Sequence, residues 1–396
     1  MRRPSRLALC LASAAGALLL AAGCSGGETA PDEPAAAPSP TGAPPAGALS
    51  QSAVPGDTWE TVDPRSVGFD PAELEKIATT AEQGKSTCLL VSRDGKIAGE
   101  WYFRGATAET PAAVYSVTKS LTSTLVGIAQ DDGDLSLDDS ASTWVAPWKG
   151  TPAEAVTVRD LVSNDSGRRW SVGIDYDELI RAEDKTAFAV GLPQDRRPGE
   201  VWAYNNSAVQ TLEEVLRGST GQEVIDFARE RVFAPIGMND STMTTDAAGN
   251  TLAFMGLQST CRDLARFGYL MLRDGDWAGD QIVSSDWVTA ATGPSSTEMN
   301  AAYGYLWWLN HEGVLAQPLA ASDISAAADP ATRQGRLVPG APDDMFWAIG
   351  LGNQIVQIDP GSGTVVVRLG TPESRPQPPT FGAAEASRVV IDALVD

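Results

Sequence analysis

Two β-hairpin signals stand almost the whole chain apart, and they constrain the fold more than any other feature. Near the start, residues 87–93 and 96–103 are β-prone runs joined by Asp94-Gly95. Asp-Gly between apolar runs selects a tight turn that matches the twist of paired strands. Near the end, residues 353–360 and 364–370 flank a Gly-Ser-Gly turn, and a bulky run at 303–309 precedes them. Between these lie short helical signals. One covers 206–216, and another covers 221–233 with Thr220 as its cap. The best marked follows Thr260, where Thr260 and Asp263 fit a capping box and Leu264, Phe267 and Leu270 form an apolar stripe. Residues 385–394 read as a closing helix. The simplest arrangement is an α/β fold of the α+β type. One antiparallel sheet is built from both ends of the chain (59–130 and about 300–396), flanked by helices, with an all-helical region inserted at about 131–299. A site is expected in the cleft between the two parts.

The leader sets the compartment. Arg2, Arg3 and Arg6 precede an uncharged apolar stretch, residues 7–22, too short to span a bilayer comfortably. It reads as an export signal. It ends in Ala21-Ala22-Gly23-Cys24. Small residues before a cysteine resemble the lipobox of bacterial lipoproteins, in which Cys24 becomes the lipidated first residue. An ordinary cleaved signal and an uncleaved anchor are the alternatives. Residues 1–23 are then a lipoprotein signal and 24–56, rich in Gly, Ala, Pro and Ser, a tether that buries too little apolar surface to order itself. Residues 57–396 are the domain, held at the outer face of a bacterial membrane or in the cell envelope.

Charge and cysteine narrow the function classes. The chain carries 29 basic and 51 acidic residues, and loss of the leader leaves 26 basic. Such a balance argues against nucleic acid and against polybasic membrane binding. Of four cysteines, Cys10 leaves with the signal and Cys24 takes the lipid. Cys88 and Cys261 either pair, as an exported protein permits, or stand as two buried thiols. No CxxC spacing suggests a metal, and no soluble cofactor is implied.

The chain has one histidine, His311, at the end of the aromatic run beside Glu312 and Gly313. It reads as a surface or loop residue, so a Ser-His-Asp triad has no base. Ser116-Val117-Thr118-Lys119 offers another. It stands at the start of a mostly apolar helix, 120–131. If that helix begins here, i and i+3 share a face and Lys119 meets the Ser116 hydroxyl. Helix amides favour negative charge on the serine, and burial lowers a lysine pKa, so a neutral Lys119 can take the proton. By itself Ser-x-x-Lys is a common helix start. The apolar helix behind it makes Lys119 a buried lysine, which needs a reason. Residues 198–208 add Tyr204 and Asn206, two apart. The phenol suits shared proton work, as phenolate or as relay, and the amide suits contact with Lys119 or a carbonyl. Alone, the pair reads as an ordinary turn before a helix.

Together, Ser116-x-x-Lys119 and Tyr204-x-Asn206 resemble the serine β-lactamase and penicillin-binding superfamily. The Tyr-x-Asn form is similar to the class C branch, in the group of 6-aminohexanoate-dimer hydrolase and esterase relatives. Residues 131–144, 156–167, 197–206 and 233–240 resemble it too, and the likeness runs from about Val67 to the C-terminus. The resemblance implies Ser116 as acylated nucleophile, Lys119 as its base, Tyr204 as proton donor to the leaving group and Asn206 as contact to lysine and substrate. The third family motif falls in 346–360, as Ala348-Ile349-Gly350. It implies an oxyanion hole made by the backbone N–H groups of Ser116 and Leu351. The motif's cation is missing at Ala348, which removes a charge-assisted contact to a substrate carboxylate. Arg168 or Arg169 is a possible substitute; both also read as loop charges. An ester or amide without that carboxylate is the expected small substrate. A β-lactamase or D-Ala-D-Ala carboxypeptidase-like enzyme is one alternative, and a non-catalytic tethered binding protein on the same fold is another. Residues 311–343 form a long irregular connection, either a lid over the acyl pocket or a surface insertion.

Overall fold

The computed structural model describes residues 54–316, 332–372 and 380–395. The leader, Cys24, most of the tether and the centre of the 311–343 connection lie outside the described residues.

The early hairpin forms where its turn dictates. β1 (Ser86–Arg93) and β2 (Lys96–Tyr102) pair antiparallel about Asp94 and Gly95, at φ 50° and 77°. Two positive φ values in succession are what a two-residue hairpin turn needs. From the far end come β3 (Trp308–Leu309), β4 (Phe346–Gly350), β5 (Gln354–Asp359) and β6 (Thr364–Gly370). All six make one antiparallel sheet in the order β2-β1-β6-β5-β4-β3. Leu90 of β1 lies opposite Val367 of β6, so the two ends of the chain meet inside the sheet.

Alternation along these strands sorts the core into two layers. Leu89, Val91 and Val366 face α1 (Pro71–Gln83) on one side, with the C-terminal helix Ala383–Ile391 beside it. Leu90, Val365 and Val367 face the other side, where α2 (Val117–Asp131) and the helix Cys261–Leu272 pack. α2 is buried at every position from Val117 to Ala129. Several of its hydroxyls bond across to neighbours: Ser120 donates to the Leu306 carbonyl at 2.9 Å and Thr122 to that of Ala253 at 2.7 Å. Gly127 lets the Trp287 ring approach, since a Cβ there would lie 2.4 Å from it.

The structure departs from the sequence reading in several places. α2 begins three residues earlier than its apolar run, at Val117. The middle helix Asn206–Thr220 runs on to Gly221, which closes it at φ 69°. Thr220 therefore ends that helix, and the next begins only at Val224. The 303–309 run is strand only at Trp308–Leu309, because Leu306 sits at φ 61° and the chain turns there. The helical middle also carries small strand pairs, among them Leu257–Ser259 between Ala112–Ala113 and Thr242–Met243. The described parts of the 311–343 connection include a strand pair, Gly313–Ala316 with Thr332–Gly335, while 336–343 are turns and bends. Val54, the first described residue, already packs against the core, and Arg266 donates to the Pro55 carbonyl at 3.1 Å. Cys88 of β1 and Cys261, at the start of its helix, are disulfide-bonded with Cα atoms 6.6 Å apart.

Candidate active site

Ser116 occupies the N-cap of α2, directly after Tyr115 at φ 49°. A non-glycine residue in the left-handed region is a local strain that the surroundings must hold. Here they do: Thr118 accepts from the Leu257 amide at 3.0 Å, and Val114 donates its amide to the Leu257 carbonyl at 3.1 Å. The elbow is thus pinned between α2 and the Leu257–Ser259 strand.

Lys119, one turn on, is 1 % exposed. Its ammonium nitrogen, Nζ, donates to Ser116 Oγ at 2.9 Å and to the Phe254 carbonyl at 3.0 Å. The Tyr204 ring centroid is 4.9 Å away and that of Phe254 5.5 Å. Burial pulls its pKa down to about 7, with Asp175 pulling the other way. A buried amine with aromatic neighbours loses its proton at a pH where an exposed lysine would keep it.

Tyr204 is buried on an aromatic platform. Its ring stacks on Trp308 at 5.6 Å and meets Tyr303 edge-on at 6.1 Å. Burial holds its phenol well above the ordinary value, against a hydrogen bond with Ser116 that lowers it. Burial thus favours the neutral O–H of Tyr204 near pH 7. Asn206 opens the helix Asn206–Thr220, whose N-cap is Asn205. The Asn206 side-chain oxygen is buried and has no hydrogen-bond partner among the described residues. Asn206 is not a partner of Lys119; the Phe254 carbonyl takes that place.

Gly350 ends β4 against the serine elbow. A Cβ there would lie 2.1 Å from the Val114 carbonyl oxygen and 3.2 Å from the Ser116 nitrogen, so only glycine fits. Ala348 is buried in the core, and Leu351 after it is 61 % exposed. The strand end thus brings Gly350 beside Ser116, with Leu351 the next residue along, and Ala348 and Ile349 supply no side-chain cation.

Neither loop arginine replaces that cation. Arg168 is buried, donates to the carbonyls of Ala189, Val190 and Leu192, and lies 4.3 Å from the Trp148 ring. Arg169 pairs with Asp195 at 3.0 Å. His311 is hydrogen-bonded to Ser295 at 3.1 Å, away from the serine's own partners.

Several residues at the site carried no sequence signal. Phe254 contributes its carbonyl from a segment 135 residues from Lys119. Tyr303 and Trp308 form the platform, with the Tyr303 hydroxyl accepting from Asn164 at 2.9 Å. Asp175 and Tyr176 come from a short π-helical turn, Ile174–Glu178. Only a motif pattern beyond Tyr-x-Asn would have marked them.

A serine hydroxyl bonded to a buried amine with pKa near 7, beside a neutral phenol and at a helix start, is equipment suited to acyl transfer. Sequence comparison agrees: the Beta-lactamase family profile matches residues 75–387, and the chain belongs to that family. It is an enzyme of the hydrolase class. The 6-aminohexanoate-dimer hydrolase of Paenarthrobacter ureafaciens is 24 % identical over 348 residues, 80 % of this chain and 82 % of that protein. A D-aminopeptidase of Brucella anthropi is 27 % identical over 202 residues, 46 % of this chain but 37 % of that longer protein. Among solved structures, the penicillin-binding protein homologue of Pyrococcus abyssi shares the fold with a TM-score of 0.58 at 18 % identity, covering 81 % of this chain and 76 % of its own.

Proposed function

We propose that this protein is an exported, lipid-anchored serine hydrolase that cleaves a small ester or amide through a Ser116 acyl-enzyme. The observation that carries this reading is the contact between Ser116 Oγ and the buried Lys119 amine at 2.9 Å, at the start of a helix. Ser116 Oγ bonds to the substrate carbonyl carbon as its proton passes to neutral Lys119. The backbone amides of Ser116 and Leu351 hold the oxyanion. The carbon–leaving-group bond breaks as Tyr204 gives its proton to the departing alcohol or amine, and Tyr204 is recharged from Lys119. Water then attacks the ester carbon, with the same groups moving its proton in reverse. The orphan oxygen of Asn206 accepts a donor from the substrate, such as an amide N–H.

The substrate lacks a carboxylate at the third-motif position, where this chain has Ala348. Placement outside the cytoplasm is supported by the Cys88–Cys261 disulfide and by the leader ending at Cys24. Intact mass after a fluorophosphonate probe, on wild type and Ser116→Ala, tests the nucleophile. Short-chain p-nitrophenyl esters and nitrocefin test the substrate class. The expected result is one adduct, lost in the variant, with ester turnover far above nitrocefin turnover. No adduct and no turnover would favour a binding protein; strong nitrocefin turnover would favour a β-lactamase.

A further inference from the structure

The stretch that delivers Tyr204, residues 201–205, belongs to no helix or strand. Its backbone amides have no ladder of their own, so other groups must satisfy them and set the direction of the ring. One residue does so on both sides of Tyr204. The Asn164 carbonyl accepts from the Ala203 amide at 2.9 Å, and the Asn164 side-chain oxygen accepts from the Asn205 amide at 3.2 Å. The nitrogen of the same carboxamide donates to the Tyr303 hydroxyl at 2.9 Å, and the Tyr303 ring meets Tyr204 edge-on at 6.1 Å. Only one orientation of the carboxamide makes both bonds, since a flip would set its NH2 against the Asn205 N–H. Asn164 is buried and closes the short helix Val158–Ser163 at φ 60°. A left-handed helix end is commonly glycine and asks nothing of a side chain. The capping here is done by the Asn164 amide, which donates to the Asp160 and Leu161 carbonyls. Its side chain instead reaches partners 41 and 139 residues further along the chain.

We propose that Asn164 is a positioning residue for the Tyr204 phenol: it clasps the backbone on both sides of Tyr204 and so aims the hydroxyl at the departing group. This rests on the Ser116, Lys119 and Tyr204 reading above. Trp308 stacks on the Tyr204 ring at 5.6 Å, and the Lys119 amine lies 4.9 Å from its centroid. These neighbours set the plane of the ring, whereas Asn164 sets the point from which the ring projects. A proton donor must stand within hydrogen-bond reach of the atom it serves, and a displacement of about 1 Å is enough to weaken the transfer severely. Asn164 acts through the Tyr204 backbone, so its effect falls on protonation of the leaving group.

The test is the leaving-group dependence of kcat/KM over substituted phenyl acetates, from p-nitro to p-methoxy, in wild type, Asn164→Gly and Tyr204→Phe. Glycine keeps the helix end at φ 60° and removes only the carboxamide. p-Nitrophenolate is a stable anion and departs readily without a proton, whereas p-methoxyphenolate gains most from one. In Asn164→Gly the p-methoxy ester is expected to lose about tenfold more than the p-nitro ester, toward the steeper dependence of Tyr204→Phe. A purely structural role would lower every ester by the same factor. That parallel loss overturns the proposal, as does a dependence unchanged from wild type. If Asn164→Gly does not fold, Tyr303→Phe is read instead. It takes away the hydroxyl that anchors the carboxamide, so a smaller steepening is expected, and an unchanged dependence there overturns the proposal equally. A Tyr204→Phe variant no steeper than wild type would remove Tyr204 as the proton donor, and the Asn164 role with it. Absence of any wild-type turnover, by contrast, would sink the hydrolase reading itself.

Discussion

Lys119 and Arg168 are both cations taken almost wholly out of water, at 1 % and 3 % exposure, and they do opposite things. Arg168 spends its guanidinium on the carbonyls of Ala189, Val190 and Leu192 and rests on the Trp148 ring. Burial lowers its pKa only to about 10, so it keeps its proton at any physiological pH. Lys119 has two hydrogen-bond partners, one of them the Ser116 hydroxyl, and its pKa falls to about 7. A buried charge therefore marks chemistry only when the group can lose its proton and one of its neighbours can use that proton. Arg168 welds a loop, whereas Lys119 sits beside the hydroxyl proposed as the nucleophile.

The largest effect that bears on this contrast belongs to the Lys119 corner. Ser116→Ala and Lys119→Met are each expected to lower kcat/KM for an ester by about a thousandfold or more while the protein still folds. Lys119→Arg should lose as much, because an arginine cannot serve as a base; near-normal turnover in that variant would break the contrast outright. The next effect is in pH. With the neutral amine as the active form, kcat/KM should rise through pH 7 and fall about tenfold for each unit below it. A profile flat from pH 5 to 8 would mean that Lys119 does not titrate in the reaction.

Arg168→Met sharpens the other side. It removes one donor from three carbonyls, of which Ala189 and Val190 keep others from the Leu192 amide and the Trp148 indole, and a loss of about 2 kcal/mol in unfolding free energy is expected from denaturant melts. Turnover per folded molecule should stay within about threefold of wild type, since Arg168 touches none of the serine's partners. A selective loss of kcat with unchanged stability would return Arg168 to the site. The smallest effect is at its neighbour: Arg169→Ala breaks an ion pair whose arginine is 43 % exposed. It should cost under about 1 kcal/mol, diminishing further in salt.

Much of this architecture was legible locally. Asp94-Gly95 announced its hairpin, and Thr260 announced its helix by accepting from the Asp263 amide. The second half of that capping box is absent, because the Asp263 carboxylate turns to the Asp240 amide and the Ser241 hydroxyl instead. Thr220 was misread as a cap because Gly221 signals a helix end and a helix start alike until the chain's direction is known. The 303–309 run misled because aromatic bulk suits a strand and a packed platform equally, and Tyr303 and Trp308 serve the platform. At the site, Ser116, Lys119, Tyr204 and Asn206 stood out by spacing. Phe254, Asp175 and Trp308 did not, since each acts through a contact made far along the chain.

What the sequence by itself determined is the periodic and the local: the strand alternation that puts Leu89 and Leu90 in different layers, the Asp-Gly turn, and the Ser-x-x-Lys spacing that puts an amine beside a hydroxyl on one helix face. These follow from backbone geometry over a few residues, which every chain obeys. Only the tertiary structure decided that the Lys119 amine is pulled down to a pKa of about 7 while Arg168 keeps its proton and ties a loop, and that burial holds the Tyr204 phenol up. Those outcomes depend on how much water is excluded and which charges remain nearby, and both are set by Asp175, Phe254 and Trp308 arriving from distant parts of the chain.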